Sequence, residues 1–148
     1  MYKGAGILFY CNNEILLGKR LRNNFWDIWG LWSIPGGKMD FEDDNDFWKT
    51  AVRETKEEFG WTDSMNRLIN ANDLEDANHD ISVTFPFSYV GFKWITFVVK
   101  LASKPCENIF PDQTRHGFKS EFETAQWFPI NKLPSGTHKL IYPVLWKL

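Results

Sequence analysis

The chain has 148 residues, 43% hydrophobic and 24% charged, which is the size and make-up of one ordinary folded domain and excludes a disordered segment. Seventeen basic residues against nineteen acidic give a net charge of −2 without a polybasic run, so neither duplex nucleic acid nor an anionic membrane surface is an expected partner. Apolar runs such as residues 7–11 fall far below the ~20 residues that span a bilayer, the N-terminus has no secretory pattern, and Cys11 and Cys106 lack metal spacing, so a cytoplasmic setting with reduced thiols is expected.

Residues 4–10 form a short apolar run, and residues 14–20 carry Ile15-Leu16-Leu17. Between them Asn12-Asn13 tolerates the positive φ of a tight turn, so a hairpin is predicted. Residues 31–34 are a further apolar run, ended by Pro35-Gly36-Gly37 as a loop. The clearest helix spans residues 46–60, where Trp48, Ala51, Val52, Thr55 and Phe59 fall on one mostly apolar stripe. Asp46 suits its N-cap and Gly60 its stop. Residues 81–89 and 92–101, rich in β-branched and aromatic side chains, read as two strands about Gly91. Residues 103–120 read as a polar loop and residues 125–130 as another strand. Residues 137–148 have helical spacing, re-started at Pro143. No repeat or linker divides the chain, so a single domain over residues 1–148 is expected, of the α+β class with helices packed on a mixed sheet.

The chemistry concentrates on the polar face of the central helix. Glu54 and Glu57 are spaced i,i+3 and Glu54 and Glu58 i,i+4, so three carboxylates share one surface. Their mutual repulsion and their place near the helix C-terminus both cost stability. A bound divalent cation relieves both penalties, and hard ions such as Mg²⁺ or Mn²⁺ take oxygen ligands. Residues 40–58 hold eight of the nineteen acidic residues against three basic ones, a site that repels phosphate unless metal ions intervene. A solvated acidic face is the plainer alternative. A calcium loop starting at Asp40 is excluded, because Asn45 stands where Gly is needed and Ala51 where a bidentate Glu is needed.

Residues 37–61 resemble the Nudix box, G-x5-E-x7-R-E-U-x-E-E-x-G-U, with U a bulky apolar residue. Arg53-Glu54-Thr55-Lys56-Glu57-Glu58-Phe59-Gly60-Trp61 matches every charged position and the Gly, with Thr55 in an aliphatic place. Gly37 lies sixteen residues before Arg53 where the pattern has fourteen, so two extra residues sit in the acidic loop. Asp43 or Glu42 stands in for the first Glu of the pattern, and Asn45 occupies the place counted back from Arg53. The box covers about a sixth of the chain.

The resemblance implies a Nudix-type α/β/α sandwich and a metal-dependent pyrophosphohydrolase that cleaves a nucleoside diphosphate linked to another moiety. A house-cleaning nucleoside triphosphate pyrophosphatase is the alternative within the class, and a non-catalytic nucleotide-binding regulatory module is the one outside it. By the same resemblance Glu57 and Glu58 are the main metal ligands, with Glu54 as a further ligand or base and Gly37 as a backbone contact. Arg53 orients the carboxylates. Glu121, six residues before Trp127, is the late-loop carboxylate preferred over Glu123 as ligand or base. Arg20 and Arg22, with Lys19, could meet the phosphates or be surface charge. Trp26 and Trp32, with Phe25 and Trp29, could stack on a base or pack in the core. The implied cofactor is Mg²⁺ or Mn²⁺, the implied partner a small-molecule nucleotide, and the Trp-rich surface permits a homodimer.

Overall fold

A computed structural model describes residues 2–20, 30–59, 74–87, 91–102, 108–109 and 122–148. Its elements in chain order are β1 (Tyr2–Cys11), β2 (Glu14–Arg20), β3 (Trp32–Ser33), β4 (Gly36–Lys38), a 3₁₀ turn (Phe41–Asp43), α1 (Phe47–Phe59), β5 (Ser82–Phe87), β6 (Phe92–Lys100), β7 (Asn108–Ile109), β8 (Phe122–Pro129) and α2 (Tyr142–Leu145). Asn12 and Asn13 take φ of 50° and 64°, as the predicted hairpin requires, and join β1 to β2.

β1 is the spine of the sheet. One edge pairs antiparallel with β2 at Tyr10 and Cys11 and with β4 at Gly4, Ala5 and Gly6. The other edge pairs parallel with β6 from Tyr2↔Phe92 to Tyr10↔Lys100. The order is β5-β6-β1-β2-β8-β7, with β3 on β2 and β4 on β1, and only the β1–β6 pairing is parallel among the described strands. Pro86, which cannot donate to a ladder, falls on the edge strand β5.

Alternation along β1 divides the core into two layers. Ala5, Ile7, Phe9 and Cys11 pack with Trp48, Ala51, Val52 and Phe59 of α1. Leu8 faces the other way, with Ile15, Leu17, Ile34 and Val98, and is covered by Ile141 and Val144 of the C-terminal segment. A mixed sheet thus lies between α1 and the segment carrying α2, which is the expected sandwich. Asp46 Oδ1 accepts the N–H groups of Trp48 (2.9 Å) and Lys49 (3.3 Å), so it caps α1 as predicted. Thr55 is buried in the apolar stripe, and its hydroxyl donates to Ala51 O at 2.8 Å, so no polar group is orphaned there.

Four expectations need correction. The Pro35-Gly36-Gly37 loop is partly a strand, because Pro35 O accepts from Ile7 N (3.1 Å) and Met39 N donates to Lys3 O (2.8 Å), bonds that hold β4 on β1. β8 begins at Phe122, not 125, since pairing with β2 continues to Arg20 across an irregularity at Lys19/Arg20. Asn108 and Ile109 form β7 within the segment read as loop. The terminal helix is only Tyr142–Leu145, because His138 N donates to Trp32 O (2.7 Å) and Thr137 bridges Trp32, which ties the chain to β3 first. Gly60, the predicted stop of α1, lies outside the described residues. Among the described residues no helix is long and apolar enough to cross a membrane.

Candidate active site

The loop between β4 and α1 is built by its own carboxylates. Asp40 Oδ1 accepts the Glu42 N–H at 2.9 Å, and Asp43 Oδ2 accepts the Asp40 N–H at 3.0 Å, a reciprocal cap around the 3₁₀ turn. Asp44 and Asn45 follow with φ of 52° and 59°, a conformation that short polar side chains tolerate. The two extra residues are absorbed in this turn. Its outcome is that Asp43 is buried, 3% exposed, beneath α1, whereas Glu42 faces solvent.

Arg53 is the centre of the arrangement. Its Nε donates to Asp43 Oδ1 and its Nη2 to Asp43 Oδ2, both at 2.9 Å, a two-pronged charged contact. Nη2 also donates to Lys38 O (2.9 Å), which ties α1 to β4. Nη1 donates to Glu54 Oε1 (3.1 Å) and to Glu57 Oε1 (3.2 Å). Thr50 Oγ1 donates to Asp43 Oδ2 at 2.9 Å. One guanidinium therefore fixes the residue standing in for the first Glu of the box and two of the three helix carboxylates. Of the alternatives open in the sequence, Asp43 is the one that meets Arg53.

The third carboxylate reaches the strand. Glu58, 6% exposed, accepts the Gly36 N–H at Oε1 (3.3 Å). Gly37 clears space for Glu54: a Cβ there would stand 2.5 Å from Glu54 Cδ and 2.6 and 2.7 Å from its two oxygens. The donor set is all hard oxygen, which suits Mg²⁺ or Mn²⁺. Among the described residues, no three His, Cys, Asp or Glu side chains are already gathered closely enough to hold a metal ion. Glu54 and Glu57 each turn an oxygen to Arg53 and Glu58 turns one to Gly36, so it is the donor chemistry of the set, all carboxylate oxygen, that fits a divalent ion.

Asp43 titrates low, at about 2 against the ordinary 3.8, chiefly because Arg53 donates to it; burial opposes the shift, and Asp40 N–H and Thr50 assist it. The same contact drives Arg53 further above its ordinary range. A carboxylate depressed in the folded state stabilises above its unfolded value, and that contribution is lost as pH falls through the folded one. Asp43→Asn is therefore expected to cost about 2 kcal/mol at pH 7, with the gap to the wild type closing between about pH 4 and pH 2. Urea unfolding of both proteins at pH 7 and pH 2.5 checks this.

The remaining sequence candidates separate. Glu121, Arg22 and Trp26 lie outside the described residues, as do Phe25 and Trp29. Glu123 sits 3.3 Å from Lys19 Nζ in an ion pair. Trp32 packs edge-on against Phe128 (4.9 Å between centroids) beside the second core layer. The Arg20 guanidinium lies 5.7 Å from the Phe122 ring centre. Burial first, and then the charge of Arg20, push His138 down to about 4, and its Nδ1 accepts the Leu140 N–H at 3.1 Å. The structure thus joins Arg53, Glu54, Glu57, Glu58 and Gly37 in one site and holds Arg20 and Trp32 in other contacts. Thr50 and Lys38 O belong to that site without having been singled out in the sequence; they carry no motif and are found only once β4 is placed against α1, whereas Gly36 N–H lies in the Pro35-Gly36-Gly37 run already marked there.

A family model described as NUDIX domain matches residues 2–146. No curated protein sequence matches the chain. Among solved structures, a MutT NUDIX hydrolase from Burkholderia pseudomallei is 23% identical with a TM-score of 0.60, over 99% of this chain and 97% of that one. An Ap4A hydrolase binary complex from C. elegans is 19% identical with a TM-score of 0.62, over 97% and 93%. A bifunctional NMN adenylyltransferase/ADP ribose pyrophosphatase from Francisella tularensis, complexed with AMP and Mn ion, is 16% identical with a TM-score of 0.58, and 99% of this chain matches 37% of that one.

Proposed function

Since the chain belongs to the NUDIX domain family, whose members are hydrolases of pyrophosphate bonds in small nucleotides, we propose that it is a metal-dependent pyrophosphohydrolase of a nucleoside diphosphate linked to another moiety. The observation that carries the reading is the single Arg53 guanidinium on Asp43, Glu54 and Glu57, with Glu58 on the adjoining strand peptide. Three like charges on one helix face are unfavourable on their own, and the guanidinium both offsets that repulsion and fixes where the carboxylates stand.

Glu57 and Glu58 hold the divalent ion in this reading, Mg²⁺ or Mn²⁺, with Glu54, Glu121 and the Gly37 backbone completing the set. A bound ion of this kind supplies charge neutralisation on the diphosphate and activation of water. Arg53 keeps Glu54 and Glu57 from drifting apart while the substrate exchanges. Glu54 or Glu121 takes the proton of the water that attacks phosphorus, and a nucleotide leaves. Arg22 and Trp26 are the candidates left for the phosphates and the base, since Arg20 lies against Phe122 and Trp32 packs on Phe128 beside the second core layer.

The test is a panel of nucleotide sugars, dinucleotides, NADH and nucleoside triphosphates, assayed with Mg²⁺ and Mn²⁺ for the products released. Release of a nucleoside monophosphate from a diphosphate-linked compound is expected. Pyrophosphate release confined to triphosphates would assign the house-cleaning activity instead. Binding without turnover of any compound would identify a regulatory module.

A further inference from the structure

Trp94 is a large aromatic residue that, among the described residues, joins neither apolar core layer, yet it is held firmly. In the parallel β1–β6 pairing Trp94 lies beside Gly4 and Thr96 beside Gly6, on the face of the sheet turned away from α1. The indole N–H donates to Thr96 Oγ1 at 2.8 Å, and Thr96 is itself buried. The six-membered ring fills the space that three side chains would otherwise need. A Cβ on Gly4 would stand 2.7 Å from Cε3, one on Gly6 3.1 Å from Cζ2, and one on Gly36 2.9 Å from Cη2. Three glycines without Cβ atoms thus form the bed of one indole.

Gly36 connects this bed to the candidate site. Its N–H donates to Glu58 on the α1 side, while Trp94 presses on it from the opposite side. The next residue, Gly37, is the one whose missing Cβ admits the Glu54 carboxylate. β4 is only three residues long and is held by its pairing with β1 and by the Arg53 bond to Lys38 O, so the packing beneath Gly36 bears directly on where its peptide lies. The geometry points to Trp94 as a positioning residue: its ring sets the Gly36-Gly37 peptide at the height where Glu58 and Glu54 meet it. Removal of the ring leaves a void over bare backbone, and the short strand relaxes into it. Gly36 N–H then leaves Glu58, whose hydrogen bond is already long, and the carboxylates lose their common spacing. Supporting residues of this kind typically change metal affinity by about ten- to a hundredfold.

The test has two arms, and only one rests on the metal reading of Glu54, Glu57 and Glu58. In metal-free protein, hydrogen exchange at the Gly36 amide is compared for the wild type, Trp94→Phe and Trp94→Ala. In the second arm Mn²⁺ affinity is measured by calorimetry for the same three proteins. Trp94→Ala is expected to speed exchange at Gly36 while the β1–β6 amides stay protected, and to weaken Mn²⁺ binding about tenfold or more. Trp94→Phe, which keeps a ring on the glycines, restores most of both. Unchanged Gly36 exchange in Trp94→Ala overturns the inference, as does a loss of protection spread equally over β1 and β6. If Trp94→Ala does not fold, Thr96→Val removes the acceptor of the indole N–H, and the same shift at Gly36 is expected; no shift there overturns the inference. A wild type that binds no Mn²⁺ removes the metal reading, and the exchange arm still decides the role of Trp94.

Discussion

Glu58→Gln lowers kcat by ~10²-fold or more and leaves the fold intact, and Glu57→Gln does the same. The glutamine keeps the volume of Glu58 and an oxygen that can accept the Gly36 N–H, so the contact between α1 and β4 survives. What it removes is a negative charge in a site built to place charge. A 10²-fold loss corresponds to ~2.7 kcal/mol of transition-state stabilisation, within the reach of one metal-ligating group. Stability of metal-free Glu58→Gln holds or rises slightly, because Glu54 and Glu58 repel at i,i+4 near the negative end of the helix dipole. Glu57→Gln instead gives up a charged contact with Arg53 and loses about 0.5 kcal/mol. Thermal unfolding and steady-state kinetics on the same preparations separate the two effects. Unfolding of either variant would make these carboxylates structural.

The second large effect belongs to Arg53→Met. It strips the buried Asp43 carboxylate of both Arg53 prongs and releases Glu54 and Glu57 together. A buried charge whose partner is removed costs about 3 kcal/mol, and the freed carboxylates cost activity of ~10²-fold as well, through lost orientation. The double variant Asp43→Asn/Arg53→Met isolates the pair. Neutralising Asp43 is expected to recover part of the stability lost in Arg53→Met, because the unpaired charge is gone, but none of the activity, because Glu54 and Glu57 remain loose. Additive stability losses would mean that the two residues act independently.

The parts of this molecule that were readable in the sequence are those fixed by local periodicity or local sterics. The stripe from Trp48 to Phe59 gave α1 within a residue at its start, and Asn12-Asn13 gave the hairpin. Glu54, Glu57 and Glu58 were visible because helical spacing alone brings them to one face. Asp43 was not separable from Glu42 or Asn45, since the choice depends on a turn whose left-handed Asp44 and Asn45 shift the register. β4 was hidden because glycines that read as a loop are also what a strand needs where an indole and a carboxylate crowd its two faces. Trp94 stayed invisible for a related reason. Its bearing on Gly36 arises only from the β1–β6 and β1–β4 pairings, which join segments far apart in the chain. The C-terminal segment had helical spacing at Ile141 and Val144, but its attachment to Trp32 decided where the helix could begin.

Metal dependence is tested most directly by hydrolysis of the best panel substrate by chelator-treated protein, followed by titration with Mg²⁺ or Mn²⁺. No turnover is expected in chelator and full recovery on adding either ion, with Glu58→Gln failing to recover at the same concentration. Undiminished hydrolysis in the presence of chelator would contradict that dependence.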